Sequence, residues 1–298
     1  MKDNRKYLDP TIVAQLGNIE LKAKLVVEGF ITGLHRSPYH GFSVEFAEHR
    51  QYRQGDEIRH IDWQVFARTN KYFVKQFEEE TNLRSIVALD SSASMGFASK
   101  GQISKYEYGS YLAAAIIYMM MNQRDAAGLA LYDSEIRKFM PSRSKMSYIA
   151  EIIKTLDAKI PENQTGTAKA LDRVAERLKR RGLVIVISDF FDDPASVISS
   201  LKRFRHQGHE VIAFQILDPR ELDFNFGATA TFKDMETEEK MITQPHLIKK
   251  AYSNAMQNFI DEIRKGCFSA RIDHHLISTN QTFDVALKEY LKKRQGLS

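Results

Sequence analysis

The 298-residue chain has a single cysteine, Cys267. That excludes an intramolecular disulfide framework and any cysteine-cluster zinc or iron-sulfur centre, and it suits a reducing compartment. Long apolar runs are also missing. The longest, Leu112 to Met121, has ten residues, against about 20 for a membrane-spanning helix, so it reads as a buried core helix. The N-terminus MKDNRKYLDP has charges with no apolar stretch behind them, so no secretory signal is expected and the expected location is cytoplasmic. Several catalytic signatures are absent too: no G-x-S-x-G elbow, no P-loop and no H-E-x-x-H.

What is present is ordinary globular composition, with 43% hydrophobic and 27% charged residues. The formal net charge is +5, and all of it lies after residue 83, since residues 1–83 balance. Arg173, Arg177, Lys179, Arg180 and Arg181 cluster in the later part, behind Asp172 and Glu176. This reads as a basic last turn that complements a helix dipole rather than a nucleic-acid patch, so no nucleic-acid partner is expected.

Two regions follow from the patterning. Residues 1–83 open with Asp9 as an N-cap and Pro10 at the first helical position, predicting a helix to about Phe30. Short strands and turns are expected after it, where aromatic and charged residues interleave around Gly55-Asp56 and the only tryptophan, Trp63. Trp63 is expected to be a core anchor. From residue 84 to 298, strands alternate with amphipathic helices, the pattern of a parallel sheet with helical crossovers. Strands are expected at Ser85 to Leu89, Ala126 to Tyr132, Ile136 to Met140, Leu183 to Ile187, Val211 to Leu217 and Ile272 to Ser278, with an inserted hairpin near 228–243. The fold class is therefore α/β: a mostly parallel central sheet flanked by helices, with an N-terminal helix and a short β extension.

The first of these strands ends in Asp90-Ser91-Ser92-Ala93-Ser94, at the carboxyl edge where open α/β sheets bind ligands. A carboxylate and two hydroxyls at alternate positions in a tight loop turn three oxygens toward one point, which suits Mg²⁺. The bland alternative is local capping of a turn or helix. Gln164-Thr165-Gly166-Thr167 opens a helix at the same edge, and Leu183 to Ile187 runs into Ser188-Asp189. One threonine hydroxyl and a second carboxylate thus come from neighbouring loops. His274-His275 is not a joint metal pair, because adjacent strand residues face opposite ways.

This triple arrangement resembles the von Willebrand factor A (vWA) domain and its metal-ion-dependent adhesion site (MIDAS). The resemblance implies Asp90, Ser92, Ser94, Thr165 and Asp189 as the site, with Thr165 preferred to Thr167 because it lies six residues before Leu171. Phe190 departs from the glycine many adhesion domains carry there. Glu45-Phe46, Arg50, Tyr52, Gly55-Asp56, Arg59 and Ile61-Asp62-Trp63 are similar to the signature of the bacterial family named domain of unknown function 58. That resemblance implies association with MoxR-type AAA+ ATPases as a metal-binding partner or adaptor, with a Mg²⁺ (or Mn²⁺) ion accepting a partner carboxylate and no catalysis; family members often carry membrane helices ahead of this region, whereas the apolar runs here predict no transmembrane segment. Arg50, Asp56, Arg59 and Asp62 fit either a partner-binding face or a salt-bridge network that fixes local geometry. The rival expectation is a metal-assisted phosphatase or hydrolase with Asp90 as nucleophile. Against it, Ser92 stands where a second aspartate would be needed.

Overall fold

The structure is a computed structural model that describes residues 8–34, 49–52, 63–75, 83–158, 161–162, 165–226, 230–233, 240–243 and 245–295. The leading helix is broken in two. Asp9 accepts hydrogen bonds from the Thr11 and Ile12 amides and Pro10 follows, giving α1 (Pro10–Ala14). The Asn18 side chain, one residue past Gly17, accepts from the Leu21 amide at 2.8 Å and starts α2 (Ile19–Leu34). A second cap at Asn18 overrides the continuous apolar spacing that predicts a single helix.

The extension holds β1 (His49–Gln51), α3 (Trp63–Thr69) and β2 (Phe73–Lys75), with β1 and β2 antiparallel and Arg50 opposite Val74. The helix α3 stands where short strands and turns are expected. Trp63 is not a core anchor: it is 55% exposed and meets the Phe66 ring edge-on at 6.0 Å. A seven-residue helix has one inward stripe, and here Phe66 takes it, stacked on Tyr72 at 4.4 Å. Asp56, Arg59, Asp62, Glu45 and Phe46 lie outside the described residues, as does Gln164.

The main body runs β3 (Arg84–Asp90), α4 (Lys105–Asn122), β4 (Ala126–Tyr132), β5 (Ile136–Arg143), α5 (Tyr148–Ala158), α6 (Thr167–Arg177), β6 (Leu183–Ser188), α7 (Pro194–His206), β7 (Glu210–Leu217), α8 (Pro219–Asp223), β8 (Ala230–Lys233), β9 (Lys240–Thr243), α9 (Pro245–Ser269), β10 (Asp273–Ser278) and α10 (Phe283–Gln295). The six-stranded sheet has the order β10-β7-β6-β3-β4-β5, every neighbour pair parallel except β4–β5. This is the mostly parallel, helix-flanked α/β fold that the sequence pattern leads one to expect. The strands β8 and β9 pair as an antiparallel ribbon where the inserted hairpin is expected.

Alternation along β3 divides the core. Val87 and Leu89 face α2, α4, α5 and α10, whereas Ile86 and Ala88 face α6 and α7. The helix α4 carries the apolar run and is buried almost all round, with Leu112 to Ile117 at zero exposure. It is started by a capping box in which the Ser104 side chain accepts from the Glu107 amide and Glu107 accepts from the Ser104 amide. The helix α2 adds Val26, Val27 and Phe30 to the same cluster. After β5 the chain crosses back over β3 to lay down β6, so the strand order reverses beside β3. The carboxyl ends of β3 and β6 therefore flank the topological switch point, the place where such sheets open a crevice.

One glycine is fixed by close packing. A Cβ on Gly128 would lie 2.4 Å from the Met140 carbonyl oxygen and 2.8 Å from the Pro141 carbonyl carbon, beside a register irregularity in the β4–β5 pair. Both obstacles are backbone and cannot swing away. We expect Gly128→Ala to lower stability by about 1–3 kcal/mol, read as a reduced urea midpoint; an unchanged midpoint would show that β5 separates freely from β4.

Candidate functional site

Asp90 is the last residue of β3 and has no exposure to solvent. Its two oxygens are held by three elements. Oδ1 accepts from the Ser92 amide at 2.9 Å, and Oδ2 accepts from the Ser188 hydroxyl at 2.7 Å and from the Thr167 hydroxyl at 3.3 Å. The Ser92 and Ser94 hydroxyl oxygens lie 3.2 Å apart, and Ser94 is the half-buried member of the pair. The structure thus brings Asp90, Ser92 and Ser94 together, and burial, with the Asp189 charge second, raises the Asp90 carboxyl to about 7.

The threonine at the centre is Thr167, the first residue of α6, fully buried with its hydroxyl on Asp90. Thr165 lies two residues upstream at half-burial. Gly166 between them leaves no room for a side chain, since a Cβ there would meet the Ser134 Cα at 2.8 Å. This loop is fastened across the edge by Asp192, whose carboxylate accepts from the Ala168 amide at 3.1 Å.

Asp189 follows β6 and is also fully buried, but its carboxylate is already engaged. Oδ1 accepts from the Phe191 amide at 3.0 Å, and Oδ2 meets the Lys105 ammonium at 2.7 Å. That ammonium reaches Glu221 of α8 at 2.7 Å and sits 4.5 Å from the centre of the Phe191 ring. Burial acts to lower the Lys105 pKa, but the Asp189 and Glu221 charges outweigh it, so the net direction is up and the lysine stays charged. Glu221 moves up as well: burial dominates, Lys105 opposes it, and Asp189 reinforces it. The turn between β6 and α7 is strained at Phe190, a non-glycine residue at φ +60°, which costs about 1–2 kcal/mol. Its fully buried side chain offsets that cost.

Lys105, Ser188 and Glu221 are the residues that sequence reasoning missed. One signal was available. Lys105 is the first residue of α4, where the helix dipole disfavours a cation, so a lysine there needs carboxylates from elsewhere. The α8 end of the cluster is built by Asp218, which caps that helix through the Arg220 amide and also accepts from the Ser99 amide at 2.8 Å and from the Ser99 hydroxyl. Behind the site, the Gln215 side-chain amide donates to the Asp189 carbonyl at 3.2 Å, which turns its oxygen toward His274 Nε2 at 3.0 Å. His274 therefore donates to Gln215 from that nitrogen. His275 points to the other face, against Phe214, as the alternation argument requires.

The basic cluster differs from the sequence reading. The helix α6 ends at Arg177, so Lys179, Arg180 and Arg181 lie beyond it and are not its last turn. Among the described residues no three His, Cys, Asp or Glu side chains gather as a metal cage. Any ion at this edge would be held by hydroxyls, carboxylates and water.

Two outcomes follow. Lys105→Met leaves Asp189 and Glu221 facing each other without a counter-charge, and we expect a loss of about 3–5 kcal/mol by urea denaturation; retention of full stability would show that water hydrates the pair. His274 is held neutral, its pKa lowered to about 4 by burial first and by the His275 and Arg264 charges next. Its contribution is present above the ordinary histidine value of about 6.5 and is lost as pH falls toward 4. Thermal stability should drop across that window and drop less in His274→Gln; an equal drop in both would assign the acid sensitivity to other groups.

An uncharacterized protein of Mycobacterium tuberculosis is 28% identical over 233 residues, covering 77% of this chain and 72% of its own length. Among solved structures, the conserved hypothetical protein BatB from Bacteroides thetaiotaomicron matches with a TM-score of 0.47 and 15% identity, over 71% of this chain and 98% of its own. The VWA domain of SpRpn10 matches at 0.41 and 11%, over 70% and 95%. A family profile described as "Protein of unknown function DUF58" matches residues 48–259, a span that runs from the start of the β extension into α9 and takes in every site residue above, and the chain belongs to that family.

Proposed function

We propose that this protein is a non-enzymatic, metal-dependent interaction module, in which a Mg²⁺ or Mn²⁺ ion at the carboxyl edge of β3 accepts a carboxylate from a partner protein. The observation that carries this reading is the convergence of Asp90, Ser92 and Ser94 at the switch point, with Asp90 fixed by hydroxyls from β6 and α6. The donor set fits the ion: every side-chain atom offered is oxygen, and hard divalent cations prefer oxygen. Ser92 and Ser94 would bind it directly. Thr165 and Thr167 are both candidates for the α6 loop's contribution, and Asp90 and Asp189 would act through water. The half-buried Ser94 marks the side from which a partner carboxylate would approach.

Lys105 modifies that chemistry. By neutralising much of Asp189 it lowers the negative charge facing the ion, so the ion keeps more of its positive charge for an incoming acid. The similarity in the N-terminal signature supports a MoxR-type AAA+ ATPase, or a client protein with an exposed acidic residue, as the partner. Of the residues suggested for a partner face, Arg50 lies on β1 of the separate two-stranded extension.

Calorimetric titration of Mg²⁺ and Mn²⁺ into the full chain tests the reading. Saturable binding that Asp90→Ala abolishes and excess acetate tightens is the expected result, with retention of a MoxR-type ATPase in pull-downs that chelator releases. Ion binding that persists in Asp90→Ala, or none in the native chain with acetate present, would sink it.

A further inference from the structure

We propose that the opposite edge of the sheet carries a second, unrelated binding site, one for a small phosphate-bearing anion. A cavity of about 230 Å³ opens at the amino ends of β3 and β6, between the sheet and the end of α6. That is the liquid-volume share of roughly eight waters, enough for a phosphate or pyrophosphate with part of its hydration. Its rim carries Arg84, Arg177, Lys179 and Arg180, and no Asp or Glu is among its described lining residues.

These charges stand without acidic partners among the described residues, and the reason is visible in how the neighbouring acids are used. Asp172 and Glu176 of α6 both turn to Arg203 of α7, at 3.5 and 3.0 Å. Glu135 takes Arg173 at 3.1 Å. On the other face of the same sheet edge the balance is complete: Lys293 meets Glu210 at 2.6 Å and Asp273 at 3.1 Å, and Arg294 meets Asp125 at 3.0 Å. Cations on the α10 face are neutralised, whereas those on the α6 face surround an open cavity. The carbonyl end of α6 accounts for only about half a charge against four. Arg177 is preorganised by its position over the Phe139 ring, 5.4 Å from the centroid, and Phe139, Pro141 and Leu178 wall the cavity with apolar surface. Guanidinium groups on a dry wall are the usual means of gripping phosphate oxygens. A concave site of this size favours a discrete anion over a polymer laid across a flat surface.

The sequence places Glu78, Glu79 and Glu80 shortly before Arg84, outside the described residues, and the experiment must separate them from a ligand. The probe is inorganic pyrophosphate, titrated calorimetrically into the full chain in low salt with EDTA, so that no divalent ion takes part. We expect one saturable site, weakened at least tenfold in the double variant Arg84→Gln, Arg180→Gln, whose urea midpoint should match the native chain because both side chains are exposed. Asp90→Ala should bind pyrophosphate as the native chain does, which keeps this result independent of the metal site. Failure to saturate, or equal binding by the double variant, overturns the proposal. Binding that appears only in Glu78→Gln, Glu79→Gln, Glu80→Gln would assign the cavity to the chain's own acidic segment and overturn it too. Random-sequence duplex DNA that displaces pyrophosphate with an affinity rising with duplex length would replace it with a polyanion surface.

Discussion

The carboxyl edge of this protein is organised around one buried ammonium. Lys105 begins α4, the helix that fills the centre of the core, and at that position it opposes the helix dipole and loses its water. Only the two carboxylates from β6 and α8 make its burial tolerable. The same contact fixes where α8 sits and orients Asp189, so the helix, the strand end and the loop after β7 are set by a single charge. Desolvation makes such a triad weak as a source of stability and strong as a constraint, since each member is costly only when another is missing.

Much of this could be read from residue order. Continuous apolar runs at Leu183 to Ile187 and Val211 to Leu217 announce strands buried on both faces, and the chain forms them as β6 and β7. The position of Asp90-x-Ser-x-Ser at a strand end places those oxygens at the sheet edge, where they do converge. The rest depends on contacts across long sequence separations. Glu221 reaches Lys105 over more than a hundred residues, and no local pattern marks an exposed-looking glutamate in a short helix as the partner of a buried lysine. Thr165 and Thr167 are alternatives in sequence because both open α6; their different depths become apparent only once the Gly166 backbone packs on Ser134. Trp63 misled for a related reason. Burial is an average preference of the residue type, and in a seven-residue helix a single inward stripe leaves one of Trp63 and Phe66 outside.

The mild overall charge hides a polar arrangement. Asp90, Asp189, Asp192, Asp218 and Glu221 collect at the carboxyl edge, and Arg84, Lys179, Arg180 and Arg181 at the amino edge. The net +5 of the chain therefore says nothing about how charge is divided between these two edges. Under the two proposals, an ion-bridged acid at the buried carboxyl edge and a free anion at the exposed basic edge would not compete, because the whole length of the parallel sheet separates them and screening at physiological salt acts over about 8 Å.

The carboxyl edge is also unusually finished before any ligand arrives. Ser188 donates to Asp90 and accepts from the Phe190 amide at 2.8 Å, Thr167 donates to Asp90, and Asp192 holds the start of α6. The Asp90 carboxylate already joins the end of β3 to β6 and α6, while the Ser92 and Ser94 hydroxyls meet each other within one loop. A site of this kind gains little from ordering on binding, because the order is present; what an ion changes is which oxygens are shared. Under the proposed reading, the free energy available to the ion is the difference between protein hydrogen bonds and ion contacts, a small quantity for the ion alone. It becomes larger when an incoming carboxylate adds a full opposite charge at the half-buried Ser94 side. Under the proposed reading this makes the metal and the partner acid mutually dependent, so that neither is held tightly without the other.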